Sequence, residues 1–389
     1  MNTYVIKGKK KLRTGVTTGS CAAAAALAAA RALILGERPE TVSLVTPAGR
    51  TIHLPVLPVE TSGDTACYAV EKDSGDDPDV TNGVKILARV SCAPFENAKM
   101  PPFSDEAYPG ISIYGGEGIG TVTREGLEQP VGYPAINRVP RQMIYEALSA
   151  VRDAGTGKRD LFVEISIPEG VSLAEKTFNP ELGIRGGLSV LGSTGILEPM
   201  SEKAIIDTIE AEIKIRAAEG RRVLLSSPGN YGRRYMEDYL GLSDWDSVKC
   251  SNYVGDMIDL AVGHGFTKIL LVGNLGKLIK LAAGIMNTHS KTADGRREIM
   301  VTHAALAGAD QTLLTRLYAA IGTEEMLDIL EEAGIRKPVT ESILSAIDEK
   351  LSKRAGEDVM IGAIVFSESY GYLGETPRAG ELLEMIKEQ

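Results

Sequence analysis

Lys268-Ile269-Leu270-Leu271-Val272-Gly273-Asn274-Leu275-Gly276 is the stretch on which the reading of the fold turns. Its apolar run has no polar alternation, which is the pattern of a strand buried on both faces of a parallel sheet. A Gly/Asn turn then opens a helix that the pattern carries to about residue 286. Upstream, Val223-Leu224-Leu225-Ser226 ends in Ser227-Pro228-Gly229-Asn230-Tyr231-Gly232 and a helix through about 240, and Val248-Lys249-Cys250 precedes a helix over 254–264. Ser201 caps a helix to about 218, and Gly187 to Leu191 reads as a strand before it. Residues 297–353 are helical pieces divided by Gly308, Gly322 and Gly334, and Met360 to Phe366 is a final buried strand. Repeated strand–turn–helix units predict a doubly wound, Rossmann-like parallel sheet over residues 184–389.

The first half reads differently. Two strands lie in 41–56, others near 66–71, 83–91, 111–114 and 161–167, and helices begin near Ser20 and at Pro140. Strands outnumber helices, so residues 1–183 are expected to form an α+β domain, with the boundary near 184. The acidic turn Asp73-Ser74-Gly75-Asp76-Asp77-Pro78-Asp79 separates two of these strands.

Composition narrows the chemistry. The 389 residues suffice for two domains, and 43% hydrophobic with 24% charged residues is a globular balance. A net charge of −10 argues against general affinity for nucleic acid, so any anion site must be local. Ala22 to Ala30 is the longest apolar run and is short for a membrane span, and no signal peptide is evident. A cytoplasmic protein is expected, with no membrane partner, and a homo-oligomer is compatible with this. Cys21, Cys67, Cys92 and Cys250 have no CxxC spacing, and the four histidines have no i, i+4 pair, so no metal held by the protein is expected.

Glycine, at 42 residues, gathers in loops beside strands. Arg13-Thr14-Gly15-Val16-Thr17-Thr18-Gly19-Ser20-Cys21 opens onto an alanine-rich helix former. With Ser20 as N-cap, the free amides of a first turn attract an anion, and Lys9, Lys10, Lys11 and Arg13 lie just upstream. An ordinary buried, capped helix fits the same spacing. The turns after 227 and 273 meet neither the dinucleotide fingerprint nor the P-loop pattern, though an adenosyl ligand needs no fixed expression there. Asn287-Thr288-His289-Ser290 puts a titratable imidazole in a polar cluster. Arg138 and Arg141 flank a helix start and can meet carboxylates bidentately, or pair with neighbouring acids.

In combination these motifs resemble the cobalt-precorrin-5B C1-methyltransferase family of oxygen-independent cobalamin biosynthesis. The resemblance rests on Arg13-Thr14-Gly15-x-Thr17-Thr18-Gly19-x-Cys21-Ala22-Ala23-Ala24, Gly118-x-Gly120-x-Val122-Thr123, Pro130-Val131-Gly132-x-Pro134-Ala135-Ile136-Asn137 and Asn179-Pro180-x-Leu182-Gly183-Ile184. It continues through Gly192-x-Thr194-Gly195-Ile196, Pro228-Gly229-Asn230-Tyr231-Gly232 and Gly284-Ile285-Met286-Asn287-Thr288-His289-Ser290, departing at Arg138, where the family often has proline.

The resemblance implies methyl transfer from S-adenosylmethionine, as co-substrate, to C-1 of a cobalt-containing tetrapyrrole. Cobalt then arrives only within the substrate. On physical grounds Pro228, Gly229, Asn230, Gly273, Asn274 and Gly276 are expected on the adenosylmethionine side. Arg13, Thr17, Thr18, Ser20, Arg138 and Arg141 are expected to meet substrate carboxylates, and His289 to accept a proton. A non-catalytic tetrapyrrole carrier and a nucleotide-dependent transferase are the competing readings.

Overall fold

The computed structural model describes residues 3–155, 159–243 and 246–389. The fold is mixed α/β, and its parallel strands and helices fall into two compact units that divide between Ser201 and Glu202.

Alternation builds the first unit. Its six-stranded sheet runs in the order Leu57–Ser62, Thr65–Glu71, Lys85–Ser91, Leu161–Ser166, Ile111–Gly115, Phe103–Ser104. Only Ile111–Gly115 and Leu161–Ser166 pair in parallel, and helix Arg138–Ala154 connects them. Every other pairing in this sheet is antiparallel. Ala66, Tyr68 and Val70, then Ile86, Ala88 and Val90, then Leu161, Val163 and Ile165 share one core cluster, as period-2 spacing requires. Helix Thr18–Leu35 lies in that cluster, with Cys21 to Ala26 and Ala28 to Ala30 fully buried. This helix is long and apolar enough to cross a membrane by composition, and here its alanines permit close packing in a protein core.

The stretch 184–201 belongs to this unit, which moves the division later than the expected 183/184. Ile184–Arg185 pairs with Thr121–Val122, and Ile196–Leu197 pairs with Gly15–Val16. The strand expected at Gly187 to Leu191 is reduced to isolated bridges from Leu188 to Ile119 and Val190 to Ile136. Those partners lie far upstream in the chain, so local pattern carried no sign of them.

The second unit has a five-stranded sheet in the order Ser247–Lys249, Leu224–Ser227, Lys268–Asn274, Met360–Ser367, Gly371–Glu375. The first four strands are parallel, and the last is an antiparallel edge that the sequence did not announce. Ile269, Leu271, Ile361, Ala363 and Val365 enter one core cluster with helices Glu202–Ala218, Val254–Gly263 and Arg336–Ala355. Leu270, Val272, Ile364 and Phe366 enter another with Tyr235, Met236 and helix Ala379–Lys387. Both faces are thus covered, which explains the uninterrupted apolar runs. The helix expected to reach 286 is shorter: Leu275–Leu278 is α-helical, Ile279–Ala283 tightens to a 3-10 turn, and Gly284 ends it with φ 75°.

Candidate functional site

In the second unit the chain leaves Leu224–Ser227 for the edge strand Ser247–Lys249, then returns past it to Lys268–Asn274. The strand order therefore reverses between Leu224–Ser227 and Lys268–Asn274. Loops after such a pair diverge and leave a crevice at the carboxyl ends. Pro228, Gly229 and Asn230 follow the first of these strands, and Gly273, Asn274 and Gly276 close the second. The structure thus brings together the two turns expected on the adenosylmethionine side.

Side chains hold these loops in place. Ser227 Oγ donates to the Gly229 carbonyl at 3.1 Å, and Asn274 Oδ1 accepts from the Gly276 amide at 2.7 Å as the N-cap of its helix. Lys277 Nζ donates to the Pro228 carbonyl at 2.6 Å and the Ser251 carbonyl at 3.3 Å, joining loops from neighbouring strands. Burial holds the Lys277 ammonium below the usual lysine range. Ser251 has φ 53°, a left-handed conformation that costs a non-glycine residue about 1 kcal/mol and tends to gather at functional sites. Adjacent Cys250 is fully buried, and its thiol is pushed up to about 11 by desolvation, so it offers no thiolate.

The segment Asn287-Thr288-His289 returns to this end of the sheet. The Thr288 amide donates to the Asn252 carbonyl at 2.8 Å, and Thr288 Oγ1 to Asn252 Oδ1 at 3.3 Å. Lys280, itself 2% exposed, anchors the loop by donating to the carbonyls of Thr288 at 3.0 Å and Ala293 at 2.9 Å. His289 is exposed, and its Nδ1 accepts from the Lys291 amide at 3.0 Å. Lys277, Lys280, Ser251 and Asn252 were missed from sequence. A lysine on a short helix reads as a solvated charge until the carbonyls facing it are known.

The anion site expected at the alanine helix is not built. Thr17, not Ser20, is the N-cap, and its Oγ1 accepts from the Ser20 amide at 3.2 Å. The Gly19 amide donates to the Leu191 carbonyl at 2.9 Å, and the Cys21 amide to the Thr17 carbonyl at 3.1 Å. Ser20 is fully buried and its Oγ donates to the Gly195 carbonyl at 2.8 Å; Thr18 is buried beside it. These first-turn donors are satisfied internally, as buried groups must be. Arg13 is spent too: its guanidinium forks onto Asp73 at 2.5 and 2.7 Å, and its amide donates to Asp76 at 2.6 Å. Arg141 pairs with Glu128 at 3.5 Å and lies 4.0 Å over the Phe103 ring. Arg138 donates its backbone amide to Glu128, while its side chain is exposed.

The Arg13 guanidinium holds the Asp73 carboxyl below the usual carboxylate range. Since Asp73 ionises more readily in the folded chain than unfolded, the pair stabilises fully above the unfolded carboxylate value. That contribution fades as pH falls through the depressed folded value. Asp73→Asn is expected to lower stability at pH 7 by about 1 kcal/mol, because the pair is partly exposed. Urea unfolding should find the variant and the unaltered chain converging as the medium is acidified, and a gap that persists at low pH would contradict the assignment.

Residues 5–199 match the CbiD family model, and residues 287–377 match the model of the CbiD C-terminal domain. The chain belongs to the CbiD family. A cobalt-precorrin-5B C(1)-methyltransferase of Alkaliphilus metalliredigens is 42% identical over 389 residues, covering 100% of this chain and 99% of that protein. One of the same name from Ruminiclostridium cellulolyticum is 44% identical, over 95% of this chain and 92% of its own. A crystal structure of a cobalamin biosynthesis protein (cbiD) from Archaeoglobus fulgidus aligns at 28% identity and a TM-score of 0.39, over 75% of this chain and 87% of that one. The first CbiD match ends within two residues of the division at Ser201, so the segment 184–199 goes with the first unit in the family model as it does in the fold. The C-terminal CbiD match starts at Asn287, the residue that returns to the carboxyl ends of the sheet.

Proposed function

We propose that this CbiD chain transfers a methyl group from S-adenosylmethionine to C-1 of cobalt-precorrin-5B, giving cobalt-precorrin-6A in the oxygen-independent route to cobalamin. The observation that carries this reading is near-complete coverage at 42–44% identity by relatives bearing that activity as their name. S-adenosylmethionine is the methyl donor, and cobalt belongs to the substrate.

The second unit is read as a Rossmann-like adenosylmethionine domain, with Pro228, Gly229, Asn230, Gly273, Asn274 and Gly276 around the co-substrate. The donor set fits it. A ribose and an amino-acid end call for polar main-chain groups gathered at a strand reversal, and the Pro228 and Asn274 turns meet at one. On the substrate side, Arg138 is proposed to meet a propionate or acetate arm, since its exposed guanidinium is the member of the expected arginine set still open to one.

We read His289 as a hydrogen-bond donor, a different part from the proton acceptor expected of it. Its Nδ1 receives the Lys291 amide, so the proton of the neutral ring resides on Nε2. An electron-rich ring carbon attacking a sulfonium methyl needs little base catalysis. The chain's contribution is then alignment, with the two carbons about 3 Å apart and on axis.

Anaerobic incubation with cobalt-precorrin-5B and methyl-labelled S-adenosylmethionine should put the label at C-1 and release S-adenosylhomocysteine. A macrocycle that stays unlabelled would end the proposal.

A further inference from the structure

The Lys277 ammonium is half-buried at the strand reversal and has three N–H donors, of which two are met by neutral carbonyls. Among the described residues its hydrogen bonds run to main-chain carbonyls and none to a carboxylate, although the chain carries 52 acidic residues. Lys249 and Lys280 add positive charge nearby rather than relieving it, and both make the ammonium harder to keep charged. A cation taken partly from water is normally paired, and this one is left with a donor to spare. Gly229, one residue after the Pro228 carbonyl, leaves the ammonium uncovered: a Cβ there would come within 3.6 Å of Nζ.

We infer that Lys277 is the subsite for the carboxylate of the amino-acid end of the methyl donor, with its third N–H aimed at that group. This rests on the adenosylmethionine reading above. Charge decides which end of the ligand faces the lysine. A sulfonium beside an ammonium in a partly dry crevice is repelled, whereas a carboxylate is attracted and restores the pairing that the fold lacks. The macrocycle therefore approaches from the side of the crevice away from Lys277.

The inference is tested by calorimetry on the full chain with two ligands, S-adenosylmethionine and its decarboxylated analogue, which lacks only the carboxylate. The unaltered protein is expected to bind the analogue roughly 10- to 100-fold more weakly, the loss of one charge-assisted hydrogen bond. Lys277→Met should bring the two affinities together at the weaker level, and Lys277→Arg should restore part of the difference. A lysine that merely braces the loops would weaken both ligands alike and keep their ratio, which would overturn the inference. Equal affinities on the unaltered protein would overturn it as well, and that result does not depend on any variant folding. Absence of binding by both ligands would overturn the adenosylmethionine reading along with it.

Discussion

Gly118→Ala is expected to cost at least about 4 kcal/mol, enough to leave little folded first unit in a protein of ordinary stability. Gly118 has φ 73°, and a Cβ there would stand 1.7 Å from the Ile167 carbonyl oxygen and 2.7 Å from its carbon. Neither atom can swing aside. The Ile167 carbonyl accepts from the Gly170 amide at 2.7 Å, and the Ile167 amide donates to the Glu117 carbonyl at 2.8 Å. The Gly118 carbonyl accepts in turn from the Leu188 amide at 2.8 Å. Three stretches of chain thus meet at one residue, and moving it breaks hydrogen bonds to both of the others. The left-handed conformation alone costs an alanine about 1 kcal/mol, and the backbone overlap supplies the remainder. Denaturant unfolding, with soluble yield as a second readout, decides the matter. A variant within 1 kcal/mol of the unaltered chain would mean that the crossing is looser than drawn.

That crossing also marks where sequence reasoning reached its limit. The parallel sheet of the second unit was legible because Ile269 to Val272 lies between two covering layers, and burial on both sides leaves an apolar run that local pattern can detect. The two turns after residues 227 and 273 were legible for the same reason, since each closes a strand of that kind. The loop before the alanine helix was not. Thr17, Thr18 and Ser20 present the same hydroxyl chemistry as an open anion site, and only the carbonyls of Leu191 and Gly195 reveal that the helix start is sealed. Those carbonyls come from more than 170 residues downstream, beyond any window of pattern. Arg13 was misread in the same way, as its partner Asp73 sits in a turn 60 residues away. Net charge gave the right warning, because in an acidic chain an isolated arginine finds a carboxylate easily. Lys277 was passed over for the converse reason, as its acceptors are main-chain atoms that carry no sequence signature.

Gly232→Ala is expected to slow methyl transfer about 100-fold while leaving the second unit folded, with adenosylmethionine binding weakened about 100-fold. A Cβ at this position would lie 1.8 Å from Ser227 Oγ and 2.8 Å from the Val272 carbonyl oxygen. Ser227 can rotate away by surrendering its hydrogen bond to the Gly229 carbonyl. Val272 cannot, because it belongs to the central strand and pairs with Ile364 of its neighbour. The helix Asn230–Tyr235 must therefore lift, carrying Gly229 and Pro228 away from the Lys277 ammonium that holds the loop. The packing loss should cost about 2 kcal/mol, which a domain of this size survives. Displacing the positioning loop by even 1 Å costs rate on the order of 100-fold. The double variant Gly232→Ala, Ser227→Ala separates the two clashes. Removing the hydroxyl should recover part of the stability but not the binding, because the obstacle from Val272 remains. Wild-type affinity in the single variant would place the co-substrate away from this loop, whereas a chain that no longer folds would mean that the helix has no freedom to lift.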